Sequence, residues 1–272
     1  MLGTRVLTAI VLLAVLSLVL YSGSHALFLA ASAIFLAAAT WESARLFHAA
    51  RPAFAALIWT LLFVVLVLRG EEFGAMLLLA LCAAIWAIRF APALGLGLPP
   101  LGSVANRLLQ GLYSIAVVGC FVSIVLLFQY SPAYLVSVMA IVWVADIGAY
   151  FAGKAFGRRK LAPSISPGKS WEGAFGGWLL VLLLGAASVG YPPLRETFAP
   201  LAQARFGWVG YALLMTLLVA ASIAGDLFES MLKRRAGVKD SSTLLPGHGG
   251  ILDRIDALIP TLPLAVLAGF WL

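Results

Sequence analysis

The segment SMLKRRAGVKDSSTLLPGHGGILDRID, residues 230–256, is rich in charged side chains, in a chain in which 63% of the 272 residues are hydrophobic. At its start, Glu229 and Ser230 follow Asp226 by three and four residues, so a helix would place all three on one face. The glycines on either side of His248 allow backbone N–H groups to approach an anion closely. Acids suited to a hard cation, beside bases suited to phosphate, are typical of phosphoryl or nucleotidyl transfer.

The composition of the whole chain predicts an all-α, polytopic integral membrane protein. Only 11% of the residues are charged, and the mean hydropathy is +1.05. Repeated apolar runs approach the length that a helix needs to cross a bilayer. The two cysteines, Cys82 and Cys120, both lie in such runs and are expected to be buried free thiols.

The apolar runs divide the chain into two regions. Residues 1–130 are predicted to form N-terminal transmembrane helices, and residues 131–272 a catalytic transmembrane region with two charged loops, 153–172 and 230–253. Residues 90–106, which are rich in Gly and Pro, are expected to form an irregular connection. The nine predicted spans are approximately 6–22, 24–40, 52–68, 73–89, 111–129, 132–152, 173–191, 207–229 and 254–272.

The amino terminus allows a second interpretation. MLGTRV, a following apolar run and the residues Ser24 to Ala26 also fit a signal peptide. The apolar run is at the long end for such a peptide, and a second span follows at once, which favours a retained span. Cleavage would leave the sidedness of the later spans unchanged.

The basic residues orient the predicted spans. If the amino terminus is cytoplasmic, 15 of the 18 Lys and Arg residues lie in cytoplasmic segments, and only Arg69, Arg195 and Arg205 lie on the other side. The positive-inside rule therefore predicts that both charged loops are cytoplasmic and the carboxyl terminus external.

The pattern S-x2-K-R-x4-K-D-x5-P-G-H-G-G-x2-D-R-x-D resembles the signature of the phosphatidate cytidylyltransferases, the integral-membrane CDP-diacylglycerol synthases. A second block, D-x-G-A-Y-F-x-G-K-x-F-G-R-x-K-L-x-P-x-I-S-P-x-K-S-W-E-G from Asp146 to Gly173, also resembles that family. The first half of the chain shares only its hydrophobic character. The positions of the first pattern are filled by Ser230, Lys233, Arg234, Lys239, Asp240, Pro246, His248, Gly249, Gly250, Asp253, Arg254 and Asp256.

The resemblance implies a reaction of CTP with phosphatidate that gives CDP-diacylglycerol and pyrophosphate, in a membrane of the bacterial inner type with the active site facing the cytoplasm. It also implies that the acids at Asp226 and Asp253 bind a catalytic divalent cation, with Ser230 nearby, and it suggests a homodimer. Mg²⁺ suits such a site because it leaves positions for phosphate oxygens. The number of cations stays open.

The acidic residues also have interpretations that do not involve catalysis. Asp226 lies at or near the end of an apolar helix, where a carboxylate is usually functional but can also simply face water. Asp253 and Asp256 open the last predicted span, where acids complement a helix N-terminus. Asp256 and Glu229 are expected to orient the substrate or the metal ligands.

The substrate-binding candidates combine cations with two other polar groups. Lys169 lies in SPGKS, where a shaped turn favours phosphate binding, whereas Arg158 to Lys160 fit an ordinary positive-inside loop equally well. His248 could donate a hydrogen bond to phosphate or transfer a proton. Alternatively, it only fixes its loop. Asp146, inside a span, is expected to face a polar cavity. The full set is Lys169, Ser170, Lys233, Arg234, Lys239, Arg254 and Asp146.

Three other classes of protein are alternatives to a phosphatidate cytidylyltransferase. A CTP-dependent polyprenol kinase needs similar residues but would release CDP instead of pyrophosphate. A transporter is expected to carry ionisable residues near mid-bilayer and repeated halves, and no repeat is visible. Nucleic-acid binding is disfavoured because the net charge of +7 clusters beside spans, where topology, anionic lipid and phosphate ligands account for it.

Overall fold

The computed structural model describes residues 21–269, together with residues 8, 10, 11, 14, 15 and 17–19. Within this described part, seven helices are long and apolar enough to cross a bilayer, which confirms the predicted class of all-α polytopic membrane protein. These helices are α1 (His25–Leu46), α2 (Pro52–Arg69), α3 (Glu72–Leu96), α4 (Val104–Tyr130), α5 (Pro132–Phe156), α6 (Trp171–Val189) and α7 (Phe198–Arg235). Two short helices follow, α8 (Leu252–Ile255) and α9 (Leu258–Gly269).

The nine predicted spans agree with the structure in the middle of the chain and differ at its ends. Seven of them match α1 to α7, of which α7 is extended beyond 207–229 by a segment joined at Gly207, whose φ of 66° marks a kink. The first predicted span, and with it the signal-peptide alternative, falls largely on residues outside the described part. The ninth, 254–272, corresponds to the 12-residue α9, and residues 270–272 are also outside that part.

The described part of helix α9 is by itself too short to cross a bilayer. Twelve residues at about 1.5 Å each give roughly 18 Å, against a hydrocarbon core of about 30 Å. Leu258, Ile259 and Leu262 are almost completely buried. The helix packs against α3, α4, α5 and α7, so it fills the centre of the bundle.

The expected irregular connection over residues 90–106 is partly helical. A π-helical turn, Trp86–Phe90, continues α3 into the short segment Ala91–Leu96, and Pro92 falls in the first turn of that segment. Proline is tolerated there because the first N–H groups of a helix have no partner within it. The irregular part begins at Gly97, whose φ is 83°.

A small hairpin interrupts the helical fold between α5 and α6, which the all-α prediction did not include. Strands β1 (Lys160–Ala162) and β2 (Ser166–Ser170) pair in antiparallel fashion. Ser170 ends the hairpin and caps α6, where its hydroxyl accepts a hydrogen bond from the backbone N–H of Gly173 at 3.1 Å. The SPGKS segment, predicted from the sequence to be a shaped turn, is therefore strand β2 itself, because its backbone pairs with β1 and leads directly into a membrane helix.

Helices α5 and α6 pack with their backbones almost in contact. A Cβ atom at Gly177 would lie 2.3 Å from the carbonyl oxygen of Ala145, and one at Gly148 would lie 2.9 Å from the Cα atom of Gly177. Small residues allow such close approach between membrane helices. This pair, with α7 beside it, forms the frame of the candidate site.

Candidate active site

A cleft of about 450 Å³ lies between α5, α6, α7 and the hairpin. Its polar residues come from separate elements: Asp146, Tyr150 and Lys154 from α5, Lys169 and Ser170 from the hairpin, and Asp226 from α7. Lys154, which the sequence analysis did not include among the candidates, is a second cation of the cleft. The cleft therefore brings together acids and cations that lie up to 80 positions apart in the sequence.

Lys169 and Asp226 form an ion pair in this cleft. The distance from Lys169 Nζ to Asp226 Oδ2 is 2.5 Å, and the side chains are 27% and 29% exposed. The hydroxyl of Ser230 donates to the other carboxylate oxygen, Asp226 Oδ1, at 3.3 Å. Because the pair is partly exposed, both groups remain accessible to a substrate phosphate.

A second lysine connects α7 to α8. Lys233 Nζ lies 2.5 Å from Glu229 Oε2 and 2.6 Å from Asp253 Oδ1. Glu229 is completely buried, so its charge depends on this lysine. The proposed helical face of Asp226, Glu229 and Ser230 therefore exists, and Lys233 extends it by one turn.

Asp253 is also fixed by its own loop. Its Oδ2 atom accepts hydrogen bonds from Gly250 N at 2.7 Å, Ser241 N at 2.9 Å and Ser241 Oγ at 2.9 Å. Burial acts to raise the pKa of Asp253, but these donors and Lys233 outweigh it and hold the pKa below its ordinary value. Asp253 is therefore an ionised carboxylate.

Asp256 lies directly against α7. A Cβ atom at Gly225 would lie 2.4 Å from the backbone carbonyl oxygen of Asp256, so only glycine fits at this crossing. Burial and the neighbouring charge of Asp226 raise the pKa of Asp256 to about 7. Asp256, ranked in the sequence as an orienting group, is thus the carboxyl group that interacts with Asp226.

The donor set fits a divalent cation. Asp226, Glu229, Asp253 and Asp256 contribute four negative charges when ionised, and Lys169 and Lys233 contribute two positive ones, which leaves a formal charge of −2. Mg²⁺ typically uses one or two carboxylates and fills its other positions with water and substrate phosphate. Carboxylates in excess over ammonium groups, partly withdrawn from water, are suitable ligands for it.

The structure does not join Asp226 and Asp253 through a common partner. Each carboxylate binds a different lysine. Among the described residues, no group of three or more His, Cys, Asp and Glu side chains is arranged to hold a metal ion by itself. The predicted sharing of one cation by Asp226 and Asp253 therefore stays a prediction.

Sequence reasoning missed Glu42, which comes from α1 in the first half of the chain. This completely buried carboxylate accepts four hydrogen bonds: from Ser242 Oγ at 2.5 Å, Ser241 Oγ at 3.1 Å, Ile251 N at 3.0 Å and Leu252 N at 2.6 Å. The two backbone donors belong to the start of α8 and have no partner within that helix. Glu42 therefore fixes both ends of the loop that precedes α8 and Asp253.

Glu42 was overlooked because the predicted span ended at residue 40, which placed the acid beyond the membrane segment. In the structure α1 continues to Leu46, so the acid lies within the helix. An ionisable residue inside a membrane helix is a signal of function. A longer span would have exposed that signal in the run ATWESARL.

The other predicted residues lie around the loop before α8. Arg254 donates from its guanidinium group to the carbonyl oxygen of His248, and the buried Nδ1 atom of His248 has no hydrogen-bond partner among the described residues. Arg234 is exposed and makes a long hydrogen bond of 3.4 Å to the carbonyl oxygen of Ile165. Lys239 is exposed and forms no ion pair within the described part.

The basic segment before β1 is held by a backbone contact. Glu172 accepts hydrogen bonds from the backbone N–H groups of Arg158 and Arg159, at 3.0 and 3.2 Å. Neither arginine is among the residues that line the cleft, whereas Lys169 lines it directly. The sequence-based distinction between Lys169 and the arginines therefore agrees with their positions.

This difference leads to a testable prediction. Lys169→Ala is expected to weaken the use of both phosphate-bearing substrates more than Arg159→Ala does, because Lys169 places a point charge in the cleft. The apparent affinity of each purified variant for the nucleotide and for the lipid is measured in detergent. Small and equal effects of the two substitutions would indicate that Lys169 only contributes to the positive charge of a cytoplasmic loop.

Together these features define a class, that of polytopic membrane proteins with a cluster of carboxylates and lysines at one end of a helix bundle. The chain belongs to the Cytidylyltransferase family, whose model matches residues 3–271.

Several relatives carry the same name. The chain is 41% identical to "Phosphatidate cytidylyltransferase" of Pseudomonas aeruginosa over 97% of its own length and 95% of the relative's. It is 38% identical to the protein of that name from Brucella suis, over 98% and 93% of the two lengths. A match to the protein of that name from Haemophilus influenzae is 44% identical over 58% and 56%.

Proposed function

We propose that this protein transfers the cytidylyl group of CTP to phosphatidate and forms CDP-diacylglycerol and pyrophosphate. The observation that carries the proposal is the cleft, which holds Lys169 and Asp226 at its polar end and is otherwise lined largely by small and apolar residues of membrane helices. Such a cleft suits a ligand with a phosphate head and apolar chains. The names of the relatives supply the particular lipid and reaction.

The reaction needs charge neutralisation more than it needs a base. An oxygen of the lipid phosphate, already ionised at neutral pH, forms a bond to the α-phosphorus of CTP, and the bond from that phosphorus to the bridging oxygen breaks to release pyrophosphate. Lys169 is placed to bind a phosphate oxygen in the cleft. Holding the two anions in line should supply most of the rate.

The carboxylates of this chain have a separate role. Asp226 and Asp253, with Asp256 and Glu229 beside them, are the residues that would hold Mg²⁺, and a second cation is compatible with four acids. When bound, Mg²⁺ neutralises negative charge on phosphate oxygens and on the leaving pyrophosphate. Lys233 contacts both Asp253 and the buried Glu229 and so holds these two carboxyl groups in place.

The same proposal includes an orientation and an assembly. The site lies on the cytoplasmic side of a bacterial inner membrane, because 15 of the 18 Lys and Arg residues fall on that side of the predicted topology. CTP then arrives from the cytoplasm while the lipid stays in the bilayer. A homodimer is the assembly that the family resemblance suggests.

The orientation is tested by single-cysteine labelling in a background without Cys82 and Cys120. Ser164→Cys and Thr243→Cys place thiols at exposed positions of the two charged loops, and Glu196→Cys places one in the turn between α6 and α7. In intact cells an impermeant thiol reagent is expected to label only Glu196→Cys. Labelling of both loop positions from outside would overturn the orientation.

The reaction is tested by varying the acceptor lipid and identifying the nucleotide product. Purified protein with CTP and phosphatidate is expected to release pyrophosphate and to form CDP-diacylglycerol. A CTP-dependent lipid kinase would instead phosphorylate a polyprenol and release CDP. CDP release with polyprenol and no product with phosphatidate would refute the proposed function.

A further inference from the structure

A second cavity, of about 540 Å³, lies between the same three helices as the first. Its walls are mainly apolar, with a few hydroxyl groups toward the turn between α6 and α7. The proposed reaction assigns no role to this cavity. Its apolar residues include Ala140, Ile141, Val144, Val181, Leu184 and Met215.

The two cavities follow one face of α5. Ile141 lines the second cavity, and Ala145 and Ala149 line the first. Residues four apart lie on the same face of a helix. The face that forms the wall of the catalytic cleft therefore continues directly into the wall of the second cavity.

The other two helices show the same continuity. On α6, Gly177 lines the first cavity and Val181 the second. On α7, Val219 lines the first cavity and Met215 the second. Three helices thus each present one uninterrupted row of residues, spaced by four, to both cavities.

The distance along these rows matches half of a bilayer. From Ser170, beside the polar groups of the cleft, to Val181, at the edge of the second cavity, is 11 residues. At about 1.5 Å per residue this is roughly 16 Å, about half of the 30 Å hydrocarbon core. A lipid whose phosphate binds in the first cavity therefore has chain ends at the level of the second.

We propose that the second cavity receives the distal part of one acyl chain of the lipid substrate and so contributes to selection by chain length. The inference rests on the proposed function for the identity of the lipid. The apolar walls of the cavity suit the methylene groups of an acyl chain. In a membrane the gain from this contact is small, because the competing environment is also apolar, so the expected effect is discrimination between chains and not tight binding.

The first test does not depend on turnover. A phosphatidate with a photoreactive diazirine at the end of one 18-carbon chain is crosslinked to the purified protein, and the adducts are mapped by mass spectrometry. Adducts are expected on residues 140–144 and 181–188 and should be reduced by excess unlabelled phosphatidate. Adducts that are absent there, or that are not reduced by competition, would overturn the subsite.

The second test uses a filled cavity. Ala140→Phe is expected to lower the kcat/KM for 18-carbon phosphatidate, relative to that for 8-carbon phosphatidate, by about tenfold, as pockets that sense methylene groups do. Leu183→Phe is the matched control, because Leu183 is 58% exposed on α6 and lines neither cavity. Ser188→Leu fills the cavity from α6 if the first variant does not fold.

The outcomes separate the subsite from the reaction. An unchanged ratio in both filled variants would refute the chain subsite while the turnover of the short lipid still supports the reaction. A protein that makes no CDP-diacylglycerol but gives competed adducts in the second cavity would keep the lipid site and refute the reaction.

Discussion

Asp226→Asn is expected to lower turnover by about 100-fold or more while the protein still inserts and purifies, a loss on the scale of removing a principal electrostatic group from an active site. The substitution keeps the size of the side chain but removes the charge that pairs with Lys169 and would hold Mg²⁺. Asp253→Asn is expected to act in the same direction, and it also removes a negatively charged acceptor from Lys233. The measurement is turnover against Mg²⁺ concentration for each variant and the wild type.

A control variant distinguishes a catalytic role of these acids from a purely electrostatic role at a helix end. Glu196→Gln removes an exposed charge at the other end of the bundle and is expected to leave turnover unchanged. If Asp226 only complemented the electrostatics of a helix end, its loss would cost about 1 kcal/mol of stability and little activity. Near-normal turnover with an unchanged Mg²⁺ requirement in either variant would remove that residue from the site.

Glu42→Gln is expected to loosen the loop before α8 and to lower turnover by at least about tenfold. The amide has one acceptor oxygen where the carboxylate has two, and its NH₂ group would face donors from Ser242, Ile251 or Leu252. Hydrogen bonds to a buried charge contribute about 1.5–3 kcal/mol each. Hydrogen exchange of the Ile251 and Leu252 amides should accelerate, because both donate to this carboxylate.

An exposed acid provides the control for the Glu42→Gln substitution. Glu71→Gln removes a negative charge from the exposed start of α3 and should alter neither exchange in the loop nor turnover. Faster exchange at Ile251 and Leu252 with unchanged turnover would make Glu42 a purely structural residue. Unchanged exchange at those amides would contradict the hydrogen-bond arrangement itself.

The charged residues that line the cleft were recognisable as candidates in the sequence because charge is rare in this chain. A carboxylate such as Asp226 or a lysine such as Lys169 stands out in a chain that is 63% hydrophobic. Spacing by three and four residues also predicted correctly that Asp226 and Ser230 share a face of α7, where they form a hydrogen bond. These features depend on local geometry, which a sequence carries directly.

Features that depend on distant contacts were not predictable in the same way. Glu42 meets the loop before α8 about 200 positions away, and nothing in its own segment indicates that partner. The position of Asp256 beside α7 is one such feature, because it depends on Gly225, which allows the chain after α8 to approach α7 closely. The break at residues 256–257, which divides the ninth predicted span into α8 and α9, was also not predicted, because hydrophobicity alone does not indicate it.

The central claim is that a lipid phosphate attacks the α-phosphorus of CTP in the cleft that contains Lys169 and Asp226. The most direct measurement follows two labels in parallel, with CTP carrying ³²P at either the α or the γ position, incubated with phosphatidate and the purified protein. We expect the α label to enter the lipid and the γ label to leave as pyrophosphate, with both transfers greatly reduced in Asp226→Asn. Transfer of the γ label to the lipid, or equal transfer by Asp226→Asn and the wild type, would contradict it.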